Sequence, residues 1–262
     1  MFLVAGIALV ASCAVVLSAG PVWAGFAYDF EGLATGGLTG QDGWTDPSSP
    51  EPDWESGNVA YGPAESGNTT LCIQGKVTTN QNQSNQRLFS PVYFTSADTA
   101  VEQQLSAYLA TAGGTMSLGG AWFHGTHVYQ NVFGLDEGAI AYYRTTANQE
   151  LHGDTLTSGH WYDFKLVMDF STVGGAAKLY YKDVTAGDPT FIEDSKMGTI
   201  SMGLTPDEFG RYQVDGLTTR MEGTGSYVDN FSVGTVPEPS TIMLLVTGCL
   251  GLLAYAWRKR RS

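Results

Sequence analysis

An all-β fold, a large antiparallel β-sandwich or jelly roll, is predicted for this chain by three observations. Side chains alternate in character with period two through several separate runs. Glycine, at 33 of 262 positions, punctuates the intervals between them. No window sustains an apolar stripe at i, i+3, i+4 and i+7 over three capped turns, so long helices are not expected before the C-terminal end. A composition of 43% hydrophobic and 12% aromatic residues supplies a core and excludes a disordered polymer. A disulfide scaffold is excluded too. Of three cysteines, Cys13 and Cys249 lie in apolar terminal runs, which leaves Cys72 alone in the interior.

Taken in chain order, the first element is an address. Phe2 to Leu17 are almost continuously apolar and lead into Gly20-Pro21-Val22-Trp23-Ala24, the pattern of a secretory signal peptide cut between Ala24 and Gly25. Its n-region lacks Lys and Arg, and the first basic residue of the chain is Lys76. Val10-Ala11-Ser12-Cys13 has a lipobox-like spacing, but the apolar run continues past Cys13, which favours the secretory reading.

Residues 25–236 read as one β domain. Strand-like runs occur at 69–74, 87–94, 115–124, 139–144, 211–219 and 227–233. Val101, Leu105, Ala107 and Leu109 line one side of a further run. In another, Tyr162, Phe164, Leu166, Met168 and Phe170 share a face opposite Asp163, Lys165, Val167 and Asp169. The segment 171–175, with Gly174 and Gly175, reads as a hairpin loop into a strand where Lys178, Tyr180 and Lys182 alternate with Leu179 and Tyr181. About a dozen such strands without disulfides point to a sandwich.

The last element is a second address. Ile242 to Trp257 are sixteen residues without a charge, preceded by Pro237-Glu238-Pro239 and followed by Arg258-Lys259-Arg260-Arg261. As a helix the uncharged stretch reaches about 24 Å against a hydrocarbon core of about 30 Å, a marginal transmembrane helix. The basic cluster belongs on the cytoplasmic side, which places the domain outside.

Of the 26 acidic and 13 basic side chains, all but Glu238 and the four basic residues of the tail fall in the β domain, which therefore carries −16. Nucleic acid and anionic lipid are poor partners for it. Glu51, Asp53 and Glu55 have the Glu-x-Asp-x-Glu spacing that puts three carboxylates on one face of a strand, the arrangement of a retaining glycosidase. Pro52 and the preceding Pro47 and Pro50 argue instead for a solvated acidic loop. His124 and His127 offer two imidazoles, with Asp136 or His152 as completions of a zinc set, but a histidine-bearing polar turn accounts for them more simply. No Gly-x-Ser-x-Gly is present, and Cys72 between Leu71 and Ile73 reads as a small core residue. For carbohydrate, the usable aromatic faces are Trp44, Trp54, Trp122, Tyr129, Tyr142 and Tyr143, whereas Trp161 at a strand start reads as buried.

Two resemblances sharpen this reading. The order of Pro-Glu-Pro, short apolar helix and Arg-rich end in residues 237–262 resembles the PEP-CTERM sorting signal of Gram-negative bacteria. That resemblance implies recognition and processing by an exosortase, a membrane-embedded transpeptidase-like enzyme, in cells that usually make exopolysaccharide. The opening Tyr28-Asp29-Phe30-Glu31, the stretch 36–44, the run 161–168 with its hairpin partner, and the closing 227–233 resemble concanavalin A-like, laminin G-like jelly rolls. From that likeness follows an expected structural calcium ion tying the first and last strands through Asp29, Glu31, Asp229 and Asn230. The favoured reading is an exported, non-catalytic surface or biofilm-matrix protein with glycan binding as its activity. A polysaccharide hydrolase or lyase and a purely structural coat component are the alternatives.

Overall fold

The alternation in residues 161–170 builds the middle of a sandwich. The computed structural model describes residues 24–38, 40–42, 44, 58–62, 70–74, 82–86, 92–110, 116–124, 127–144, 149–204, 210–214, 216–221, 225–235 and 239–259. The early strands are β1 (Ala24–Tyr28), β2 (Gly36–Gly37), β3 (Asn58–Tyr61), β4 (Leu71–Gln74), β5 (Asn82–Gln86) and β6 (Val92–Thr95). The central ones are β7 (Val101–Leu109), β8 (Met116–His124), β9 (His127–Asp136), β10 (Ile140–Arg144), β11 (Glu150–Thr155) and β12 (Trp161–Asp169). Then come β13 (Ala176–Asp183), β14 (Ile192–Glu193), β15 (Ile200–Ser201), β16 (Arg211–Val214), β17 (Gly216–Met221) and β18 (Ser226–Thr235), followed by helix α1 (Pro239–Lys259).

All the pairings given by register are antiparallel. The larger sheet runs β14-β13-β12-β7-β18-β4-β3-β2, with β1 on β18 and β15 on β13; the smaller runs β11-β10-β9-β8-β17-β5. The closing strand β18 therefore lies between β7 and β4 in mid-sheet and takes up the opening strand β1, the long-range closure of a jelly roll. β12 joins β13 through the predicted hairpin loop at 171–175 and lies against β7 with Phe164 opposite Leu105.

Between the sheets lies one core. Val101, Leu105, Ala107 and Leu109 of β7 and Phe164, Leu166 and Met168 of β12 meet Phe133 and Leu135 of β9 and Ala141 and Tyr143 of β10. The inward side chains of β18 change parity, from Val228 to Phe231 and Val233, across Asn230 with its φ of +53°. A β-bulge has this effect, and asparagine is one of the few side-chain residues that tolerate the left-handed region.

One expectation needs correction. The run 211–219 is not one strand: β16 pairs with β6 in a separate two-stranded sheet while β17 joins the smaller sheet. At their junction the sequence has Asp215-Gly216, a turn-forming pair inside an otherwise strand-like pattern. Of the run 87–94, residues 92–94 fall in β6, and 87–91 lie outside the described residues.

At one edge a carboxylate ties the sheets together. Asp194, after β14, is 1% exposed and accepts hydrogen bonds from the amides of Asp154 on β11 (2.7 Å), Lys196 (3.0 Å) and Met197 (2.9 Å). In return the Ser195 amide and hydroxyl donate to Asp154, each at 3.0 Å. The Ser195 amide holds the Asp154 carboxyl below its ordinary range. At Asp183, burial works upward, but the Ala186 amide and His160, 2.6 Å away, outweigh it and leave that carboxyl lowered as well. Both folded-state values are depressed, so the stability they contribute is present above the unfolded value near 3.8 and is lost as pH falls through the lower folded values. Urea unfolding at pH 5 and pH 3 should therefore show lower stability at pH 3, with a smaller difference in Asp154→Asn. An equal difference in the variant would remove Asp154 from the account.

The chain divides into two compact units, Gly25–Gly234 and the terminal segments. In the second, α1 has 21 residues and measures about 32 Å at about 1.5 Å per residue. Among the described residues no helix is long and apolar enough to cross a membrane.

Candidate functional site at the edge of the smaller sheet

Several aromatic candidates are removed as open sugar platforms. Trp44, Tyr142 and Tyr143 are all 0% exposed, and a sugar can stack only on an accessible ring face. Trp44 packs against Tyr28 and Phe30, with ring centroids 6.2 and 6.1 Å away, because the glycine-rich stretch folds its one large side chain inward. Trp122 and Tyr129 are register partners across β8 and β9, two positions from the opposed pair His124 and His127. Trp161 is buried, as expected, against Tyr108. Glu51, Asp53, Trp54 and Glu55 lie outside the described residues, as do Pro237, Glu238, Arg260 and Arg261.

Asp136 ends β9 and His127 begins it, nine residues or about 30 Å apart, so Asp136 cannot complete a zinc site at the histidine hairpin. His152 pairs with Asp136 instead. The proposed calcium ligands are engaged by protein donors: the Thr70 hydroxyl donates to Asp229 Oδ2 at 2.9 Å and the Asn230 amide to Oδ1 at 2.8 Å. The Leu71 amide donates to Glu31 at 2.7 Å, and the Glu31 amide to Asp29 at 3.2 Å. Asn230 turns its amide group toward Ser106. Among the described residues no group of three or more His, Cys, Asp or Glu is placed to hold a metal ion. Burial first, and then the charges of Asp229 and Glu31, push the Cys72 thiol up to about 12, which disfavours the thiolate form that nucleophiles and metal ligands use.

What the register does assemble is a polar edge across β9, β10 and β11. Gly134 lies opposite Tyr142 and Tyr142 opposite His152; Val132 lies opposite Arg144 and Arg144 opposite Glu150. Because Phe133, Leu135, Ala141 and Tyr143 point into the core, the alternate residues share the other face of the sheet. On it, His152 Nε2 is 2.9 Å from Asp136 Oδ2, with the histidine about half exposed and the aspartate largely covered. The Tyr142 hydroxyl donates to Glu150 at 3.3 Å, and its ring lies 6.1 Å from the His152 ring. Arg144 is half-buried, and its Nε is shielded from solvent with no hydrogen-bond partner. Two carboxylates, an imidazole, a phenol and a guanidinium thus lie along one edge, Glu150 and His152 open to solvent. Glu150, His152 and the half-buried Arg144 offer donors and acceptors to a polyhydroxylated ligand, while the buried Tyr142 and Asp136 hold Glu150 and His152 in place. The sequence carried a faint signal for it: Asp136 and His152 drew attention as metal ligands, whereas Arg144 and Glu150 flank a segment without alternation.

The tail is the part with a specific relative. Its helix begins at Pro239 of Pro-Glu-Pro and ends at Lys259 within the basic cluster. Residues 235–261 match the PEP-CTERM protein-sorting motif. The β domain ahead of this PEP-CTERM tail has only distant likenesses. No curated protein matches the chain in sequence. The globular domain of T. cruzi calreticulin is 10% identical, with a TM-score of 0.48 over 90% of this chain and 98% of its own. The lectin UEA-II complexed with galactose is 9% identical, at 0.45 over 81% and 99%. The catalytic domain of a glycoside hydrolase family 131 protein from Coprinopsis cinerea is 12% identical, at 0.45 over 83% and 95%. At these scores they add nothing to what the topology already establishes, an antiparallel jelly-roll sandwich ahead of a PEP-CTERM tail.

Proposed function

We propose that this is an exported surface or matrix protein, delivered by the N-terminal signal, processed at its PEP-CTERM tail by an exosortase, and binding glycan through the polar edge of β9–β11. The observation that carries the sorting half is the match of residues 235–261 to the sorting motif. Pro-Glu-Pro, helix and Arg258-Lys259-Arg260-Arg261 follow one another in order, which is far more specific than the tripeptide alone. Signal cleavage between Ala24 and Gly25 would leave Gly25–Tyr28 of β1, with Phe26 still packed on the core.

The glycan half is supported by the chemistry of the edge. Each carboxylate there already holds one neighbouring donor, Asp136 the imidazole and Glu150 the phenol, a pre-ordered array that loses little freedom when sugar hydroxyls dock. Incubating the protein with a panel of bacterial and algal polysaccharides, and reading both retention and reducing ends, tests this. Retention without release is the expected result. Release that is lost in Glu55→Gln would instead establish the hydrolase, and neither retention nor release would leave a structural coat component.

A further inference from the structure

Arg144 narrows the chemistry of the ligand, an inference that rests on the glycan-binding reading of the same edge. In a domain where acids far outnumber bases, a basic side chain finds a carboxylate easily. Lys178 and Lys182 each lie 2.9 Å from one, Glu193 and Asp163, and Lys165 lies 3.7 Å from Glu102. Arg144, like Lys196, is not in such a pair, although a carboxylate lies directly across the sheet from it. Its register partner is Glu150, directly opposite on β11, yet the two form no ion pair: the Glu150 carboxylate is turned to the Tyr142 hydroxyl. Among the described residues, Arg144 has no carboxylate partner, and its Nε–H is shielded from water without an acceptor. A ligand cannot reach this shielded nitrogen; it meets the two outer guanidinium nitrogens, which are not among the shielded atoms. The guanidinium fork fits a carboxylate better than any other common acceptor, through two parallel charge-assisted hydrogen bonds.

We infer that the glycan taken at this edge is acidic, a uronate-bearing polymer whose carboxylate is received by Arg144 while its hydroxyls meet Glu150 and His152. The negative charge of the domain opposes a polyanion at a distance, but at physiological salt that field is screened beyond about 8 Å. The short-range contact with Arg144 therefore decides selectivity.

The test compares polygalacturonate with the same polymer after reduction of its carboxyl groups to neutral galactose units, both titrated against the purified full-length chain in mild detergent. The acidic form should bind at least about tenfold more tightly, the range of one charge-assisted contact. Arg144→Gln should bring its affinity down to that of the reduced form, Arg144→Lys should keep part of the preference, and Lys178→Gln should keep all of it. Melting midpoints confirm that each variant is folded. Because carboxyl reduction alters the ligand alone, the wild-type comparison stands even if a variant fails to fold. Equal affinity for the two polymers, or a preference that survives in Arg144→Gln, overturns the inference and leaves glycan binding in place. No binding to either polymer, or to the wider panel, overturns both.

Discussion

Alanine in place of Asp194 is expected to destabilise the β domain by about 4 kcal/mol, the largest effect of any substitution considered for this chain. The carboxylate is buried and is the acceptor for three backbone amides, of Asp154, Lys196 and Met197. Each amide left unsatisfied costs about 1–3 kcal/mol, less where water can enter the gap. The effect is large because the bonds join β11 of the smaller sheet to the segment after β14 of the larger one. Asp194→Asn, which keeps one carbonyl oxygen, should recover part of the loss. The same contact makes Gly153 a required glycine for reasons of space: a Cβ there would collide with the Asp194 carboxylate. Gly153→Ala should cost about 1–3 kcal/mol as overpacking does, and less when combined with Asp194→Ala, which removes the obstacle. Denaturant midpoints of the two single variants and the double variant measure this, and strictly additive losses would contradict the steric account.

The second expected loss is at Asp229. It is fully buried in β18, where its two oxygens accept from the Thr70 hydroxyl and the Asn230 amide, next to Glu31 holding the Leu71 amide. These bonds fix the bulge of β18 and the start of β4, so Asp229→Ala should cost about 2–3 kcal/mol. The same position tests the calcium expectation. A ligand bound only by the folded state at a hundredfold excess over its Kd would add about 2.7 kcal/mol. With protein donors already on these oxygens, the midpoint of metal-free protein should be the same in millimolar Ca²⁺ and in EGTA. A calcium-dependent rise that disappears in Asp229→Ala would restore the ion to this place.

Much of the fold was legible in the sequence where apolar and polar residues alternate without interruption. β7, β12 and β13 alternate cleanly because each has one face in the core, and the hairpin at Gly174-Gly175 follows from residues that accept positive φ. β9 and β11 were less visible. β11 is Glu-Leu-His-Gly-Asp-Thr at a sheet edge, with only Leu151 packed on the core, and a strand so exposed has no apolar rhythm. The division between β16 and β17 was hidden for a different reason. Local pattern gives strand character but not sheet membership, which long-range pairing decides.

The candidate site was harder to read. Trp44, Tyr142 and Tyr143 were attractive as ring platforms because aromatic type is visible in a sequence and burial is not. His152 and Asp136 were read as completions of a zinc set, whereas the register of β9–β11 sets them beside each other. Arg144 had no sequence signal: only the pairing of β10 with β11 shows that it faces Glu150 without engaging it.

The central claim, that this is an exported protein sorted by its tail, is tested most directly by mass spectrometry of the native protein recovered from the cell surface. The account predicts a mature chain that begins at Gly25 and ends close to Pro237-Glu238-Pro239, without the helix and the basic cluster. Recovery of mature protein with an intact C-terminus through Ser262 would contradict it.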